Sequence, residues 1–159
     1  MNLNDPGTGE WVMDTGATDH VHSNSDILDS LCNNYFPRSI YVGNGSAIPV
    51  VTSGHSTLPI SNIYRPLHLQ NVLITPNIIK NLIYVRKCTT HNNCSIDFDP
   101  YGFTILDYQT RRPLIRCDSS GPLYPVTRST SHVFVTTSPF NLASTARSPR
   151  RSSPKAAFF

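Results

Sequence analysis

The sequence predicts an all-β protein: a small barrel with one projecting hairpin, at most one short helix, and a C-terminal meander. Three observations carry that expectation. Hydrophobic residues make up 38% of the 159 positions and charged residues only 14%, enough for a core but lean in the Glu, Lys and Ala that favour helices. Thirteen prolines punctuate the chain, and the apolar runs between them are short and rich in Val, Ile, Thr and Tyr, which suit strands. Asn44-Gly45 stands between two apolar arms, the sequence signal for a tight hairpin, because both residues tolerate positive φ.

Taken in order, residues 1–10 are polar, with Pro6, Gly7 and Gly9, and read as a flexible leader. Order is expected from Trp11. The hairpin is placed at 39–51, and further strands at 56–60, 67–74 and 96–98, each bounded by Pro, Gly or Asn. Pro100-Tyr101-Gly102 turns the chain into 103–106, and 114–117 follows another turn, which makes a meander. A helix is expected only around 81–90, where Leu82, Val85 and Arg86 have helical spacing, although Ile83 and Tyr84 fit a strand equally well. The organisation is thus a leader at 1–10, a barrel at 11–90, a meander extension at 91–126 and a tail at 127–159. That tail is Ser-, Pro- and Arg-rich and is expected to be disordered, since it cannot bury enough apolar surface to offset chain entropy.

The formal charge is +3, but Arg128, Arg147, Arg150, Arg151 and Lys155, five of the thirteen basic residues, lie in the tail. The body is close to neutral, so specific nucleic-acid binding is not expected, and the tail offers at most weak, salt-sensitive contact with phosphates. Cys32, Cys88, Cys94 and Cys117 are widely spaced and read as reduced thiols. No apolar run approaches the roughly 20 residues that cross a bilayer. A cytoplasmic protein without a membrane partner is expected. His20 and His22 share a strand face beside Asp19, but no third and fourth ligand recurs at a metal-binding spacing, so neither metal nor cofactor is predicted.

One motif carries chemistry. In Trp11-Val12-Met13-Asp14-Thr15-Gly16-Ala17 a carboxylate closes an apolar strand and is followed by a hydroxyl and a glycine. An aspartate that activates water has to reach a cleft from a rigid, buried backbone; Thr15 can brace the loop and Gly16 permits a tight turn. Asp, Thr and Gly are also ordinary turn formers, so the tripeptide alone decides nothing. Hydrolysis of this kind needs two carboxyl groups, one ionised to take a proton from water and one protonated to polarise the carbonyl. Only one Asp-Thr-Gly is present. A second copy of the chain, related by a two-fold axis, would supply the other Asp14.

The run Trp-x-x-Asp-Thr-Gly-Ala-Thr-Asp-His at 11–20 resembles the protease start of copia-type retrotransposon polyproteins. Tyr41-Val42-Gly43-Asn44-Gly45-Ser46, Leu69-Gln-Asn-Val-Leu-Ile-Thr-Pro76, Asn81-Leu82-Ile83-Tyr84-Val85 and the stretch from Asn93 to Tyr124 resemble successive segments of the same family, in order and at matching spacing to about residue 126. The resemblance implies a retropepsin-like barrel, Asp14 as the catalytic carboxylate, Thr15, Gly16 and Ala17 as its supporting loop, and a flap-like hairpin around Gly43, Asn44 and Gly45. It also implies that residues 72–74 and 82–83 brace the active-site loop, and that the substrate is the element's own polyprotein. Tyr84 replaces the family's usual Ser and Cys88 its Leu, which puts the bracing helix in question. Beyond residue 126 the match ends, and the sequence reads as a truncated element. Two functions follow: a homodimeric aspartic endopeptidase, or a catalytically inert barrel remnant that keeps the fold without a substrate.

Overall fold

A computed structural model describes residues 10–33, 36–58 and 65–127; the expected leader at 1–9, the expected strand positions 59 and 60, and the basic tail from Arg128 lie outside the described residues. The chain enters the fold at β1 (Trp11–Asp14), whose first three residues are all buried. Continuous burial, rather than alternation, is what a strand covered on both faces requires. The other strands follow as β2 (His20–His22), β3 (Ser30–Leu31), β4 (Ser39–Tyr41), β5 (Ala47–Pro49), β6 (Thr52–Thr57), β7 (His68–Ile74) and β8 (Asn81–Tyr84). Helix α1 (Val85–Asn92) leads to β9 (Cys94–Asp99), β10 (Gly102–Asp107) and β11 (Pro113–Asp118).

Six strands form one mixed sheet in the order β1-β8-β2-β7-β6-β3. β1 runs parallel to β8 with Asp14 opposite Tyr84, β8 is antiparallel to β2 through Val21 and Leu82, and β2 runs parallel to β7. The sheet is open: β1 and β3 do not pair with each other to close a barrel. The chain itself takes the place where closure would begin. Along the outer edge of β1, Met13 N–H donates to the Tyr124 carbonyl (3.0 Å) and Val126 N–H to the Trp11 carbonyl (2.7 Å).

The region expected to be helix or strand is both in succession. Asn81–Tyr84 is strand, because Asn81 and Ile83 point inward, and Val85 then begins the helix. Asn93 ends it in the left-handed conformation (φ 46°), a common role for Asn. Buried Asn92 ties the helix to the sheet. Its Nδ2 donates to the His68 and Cys88 carbonyls (2.9 Å each), and its Oδ1 accepts from His68 N–H (2.8 Å). The replacement of Leu by Cys at 88 leaves the helix intact, with the small thiol fully buried.

β9, β10 and β11 form the expected antiparallel meander. The turn before β10 is tight: Gly102 has φ 147°, and a Cβ there would meet the Cys117 carbonyl oxygen at 2.1 Å. Phe103, Ile105, Leu114, Ile115 and Cys117 of the meander join Trp11, Met13, Leu69, Val72 and Ile83 of the sheet in one buried cluster. The meander therefore shares the core of the sheet.

The hairpin β4–β5 pairs Ile40 with Ile48, but its turn differs from the expected one. Asn44 does not take positive φ; Gly45 alone does, at 82°. Gly45 N–H donates to the Val42 carbonyl (2.8 Å) and Val42 N–H to that of Ser46 (3.0 Å), the pattern of a type I turn followed by a bulge. Asn44 uses its side chain instead, accepting from Ser46 N–H (2.9 Å).

Candidate active site

Asp14 sits where β1 leaves the sheet, half-buried, with exposed Thr15 and Gly16 next in the chain. Its Oδ1 accepts the N–H of Gly16 (2.7 Å) and of Ala17 (3.2 Å). This is the backbone-capping turn that Asp favours, and it fixes the carboxylate through one oxygen, with no further hydrogen bond on Oδ2 among the described residues. Gly16 contributes closeness: a Cβ there would lie 3.4 Å from Asp14 Oδ1.

Two clefts meet at Asp14. One, about 270 Å³, is lined by Gly16, Ala17 and Thr18, by Ile40, Tyr41, Val42 and Gly43 of the hairpin, and by Ile78 and Leu82. The other, about 340 Å³, is bounded by Met13, Thr15, Leu82, Phe98, Leu123 and Tyr124. Of the expected site residues, Asp14, Gly16, Ala17 and Gly43 line the first cleft and Thr15 the second. Asn44 and Gly45 line neither; they form the exposed tip of the hairpin. A larger cavity of about 430 Å³ around Glu10, Asp118 and Pro125 shares Val12, Lys80 and Leu123 with the second cleft but is not lined by Asp14.

Several residues around the site have roles that the sequence reading did not assign. Tyr124 packs edge-on against Phe98 (4.9 Å) and donates its hydroxyl to the Asp99 carbonyl (3.3 Å), which builds the second cleft's far wall from the meander. Asp19 forms an ion pair with Lys87 of α1, so the far end of the Asp14 loop is tied to the helix. His20, fully buried, accepts the Tyr84 N–H on Nδ1 (3.1 Å). Burial, with the positive neighbours Lys87 and His91, pulls its imidazole down to about 4 against the opposing effect of Asp19. His22, tilted against the Trp11 ring at 4.7 Å, is also lowered by burial. Among the described residues no group of three or more His, Cys, Asp or Glu could hold a metal ion. Cys88, Cys94 and Cys117 are buried free thiols, and burial raises Cys117 to about 12. No helix of the described residues is long and apolar enough to cross a membrane.

An open β-sheet with a carboxylate where two clefts meet, one of them lined by the β4–β5 hairpin, defines a small all-β protein. The family model described as the Pol polyprotein beta-barrel domain matches residues 11–94, and the chain belongs to that family. It is similar to the retrovirus-related Pol polyproteins from transposons RE1 and RE2 of Arabidopsis thaliana. Identity is 36% over 118 residues and 34% over 125, covering 74% and 78% of this chain. The chain spans about 8% of the length of each of these relatives. The resemblance read from the motifs to a copia-type retrotransposon polyprotein therefore holds.

Proposed function

We infer that this domain is an aspartic endopeptidase acting on its own polyprotein, assembled as a homodimer in the cytoplasm. The observation that carries the reading is the Asp14 carboxylate: anchored through Oδ1 by two backbone N–H groups and placed where a cleft lined by the hairpin meets a second, mainly apolar cleft that Lys80 also lines. An extended peptide crossing Asp14 would have the hairpin above it and side-chain room on both sides. A second Asp14 from the partner copy would complete the pair, and two adjacent carboxyl groups share one proton, so one activates water while the other polarises the scissile carbonyl. Activity should then be highest in mildly acidic solution.

The test is cleavage of a library of polyprotein-derived peptides at pH 5–6 by the full chain, with and without a statine-type transition-state analogue. Inhibitor-sensitive cleavage that rises more than linearly with protein concentration is the expected result. A folded protein that remains silent at every concentration would overturn the reading and leave an inert β domain in its place.

A further inference from the structure

We propose that His20 is the positioning residue of the Asp14 loop: its neutral imidazole bolts the β8–α1 junction to the strand that follows the loop. This deepens, and rests on, the endopeptidase reading.

The pairing of β2 with β8 consists of the single register pair Val21 and Leu82. Two residues further along β8 the backbones have parted, and Tyr84 N–H meets no carbonyl of β2; it donates to Nδ1 of His20 instead. Tyr84 is also the β1 register partner of Asp14 and stands at the N-cap position of α1. One N–H bond thus holds the residue that sets both the height of Asp14 and the origin of the helix. An acceptor at Nδ1 requires the tautomer protonated at Nε2. That Nε2 is buried and finds no hydrogen-bond partner among the described residues. A buried polar atom left unmatched costs stability and calls for an explanation. A leucine would fill the space without that cost, but could not accept the Tyr84 N–H. Lys87 and Asp19 close the same junction from outside, so the loop from Thr15 to Asp19 is fastened at both ends.

The experiment is nitrogen NMR on the full chain, with variants chosen to keep or remove the acceptor. In the unsubstituted protein we expect a His20 ring unprotonated at Nδ1 and a through-bond coupling between that nitrogen and the Tyr84 amide nitrogen. A ring protonated at Nδ1, or no coupling, overturns the proposal. In His20→Leu, amide exchange at Gly16 and Ala17, the groups that hold Asp14, should quicken about tenfold, as loss of one buried hydrogen bond predicts. His20→Asn, whose Oδ1 can stand near the Nδ1 position, should restore slow exchange. Unchanged exchange in His20→Leu, or fast exchange in His20→Asn, overturns it. Should His20→Leu fail to fold, the coupling and the His20→Asn exchange decide the matter between them. With cleavage as a further readout, His20→Leu should lower kcat about tenfold with little change in KM, and His20→Asn should recover it. If the unsubstituted protein cleaves nothing, the endopeptidase reading fails, whereas the coupling and exchange results still decide the role of His20.

Discussion

The end of β1 and the turns of the meander use the same local device for different ends. At Asp14, one carboxylate oxygen gathers the N–H groups of Gly16 and Ala17. At Asp107, one oxygen gathers the N–H groups of Gln109 (3.1 Å) and Thr110 (2.9 Å), and Asp99 accepts from Tyr101 N–H (2.8 Å). The difference lies in what else arrives. Arg116 grips Asp99 through both terminal nitrogens and holds its carboxyl down at about 2, and Arg65 reaches Asp107 at 3.4 Å. The bonds to Asp14 come from the backbone alone. A guanidinium turns an aspartate into a permanent anion and a structural post; without one, the same turn presents a carboxyl group to a cleft. An Asp-containing turn is therefore no site by itself, and the surroundings of Asp14 make the distinction.

The largest test of this contrast is Asp14→Asn beside Asp107→Asn. The amide at 14 can still accept both N–H bonds, so the fold and melting temperature should be kept while cleavage is abolished. Asp107→Asn should leave cleavage intact and lower the melting temperature. Equal losses of activity in both would erase the contrast.

Next in size is the shared core. Phe103 and Ile105 are fully buried within the cluster that includes Trp11 and Met13, so Phe103→Ala should cost about 3–5 kcal/mol. Denaturant melts followed at Trp11, on the sheet side, should register that full loss; a meander that merely hangs from the sheet would leave the Trp11 transition unmoved.

Acid should separate the regions further. The folded-state pKa of His20 is lowered to about 4, below the ordinary value near 6.5, so the unfolded chain takes up the proton first. Stability is unaffected above pH 6.5 and falls progressively from there toward pH 4, by about 3 kcal/mol in full. Lys87, His91 and Asp19 face this group, and His22 titrates in the same direction. Melting measured from pH 7 to 4 should flatten in His20→Asn. Asp99 has the opposite sign: its depressed value gives stability that is complete above the ordinary carboxylate range and disappears as pH falls toward 2. Arg116→Met should remove that lower segment of the melting curve and leave the segment between pH 6.5 and 4 in place.

The smallest effect belongs to the hairpin. Gly45→Val forces a β-branched residue to φ 82°, at about 1–2 kcal/mol of local strain. Because β4 and β5 pair only with each other, the melting temperature should scarcely move, while KM for peptides rises if the hairpin covers substrate.

Much of this molecule was written in one dimension. Short apolar runs between prolines and turn residues determined the all-β class, the hairpin, the meander and the end of β1 at Asp14, because alternation, turn chemistry and local capping act over a few residues. The helix-or-strand ambiguity over 81–90 resolves into both: 81–84 is strand and the helix begins at 85 and runs to 92. Tertiary structure decided the rest. The open sheet follows from residues 124–126 lying along β1, a pairing across more than a hundred positions. The union of meander and sheet follows from which apolar faces meet. The sequence put His20 on a strand and left Tyr84 between helix and strand, and nothing in either neighbourhood shows that an imidazole would stand in for a missing carbonyl. Local preferences choose the elements; only their packing decides which buried polar groups are left to satisfy one another.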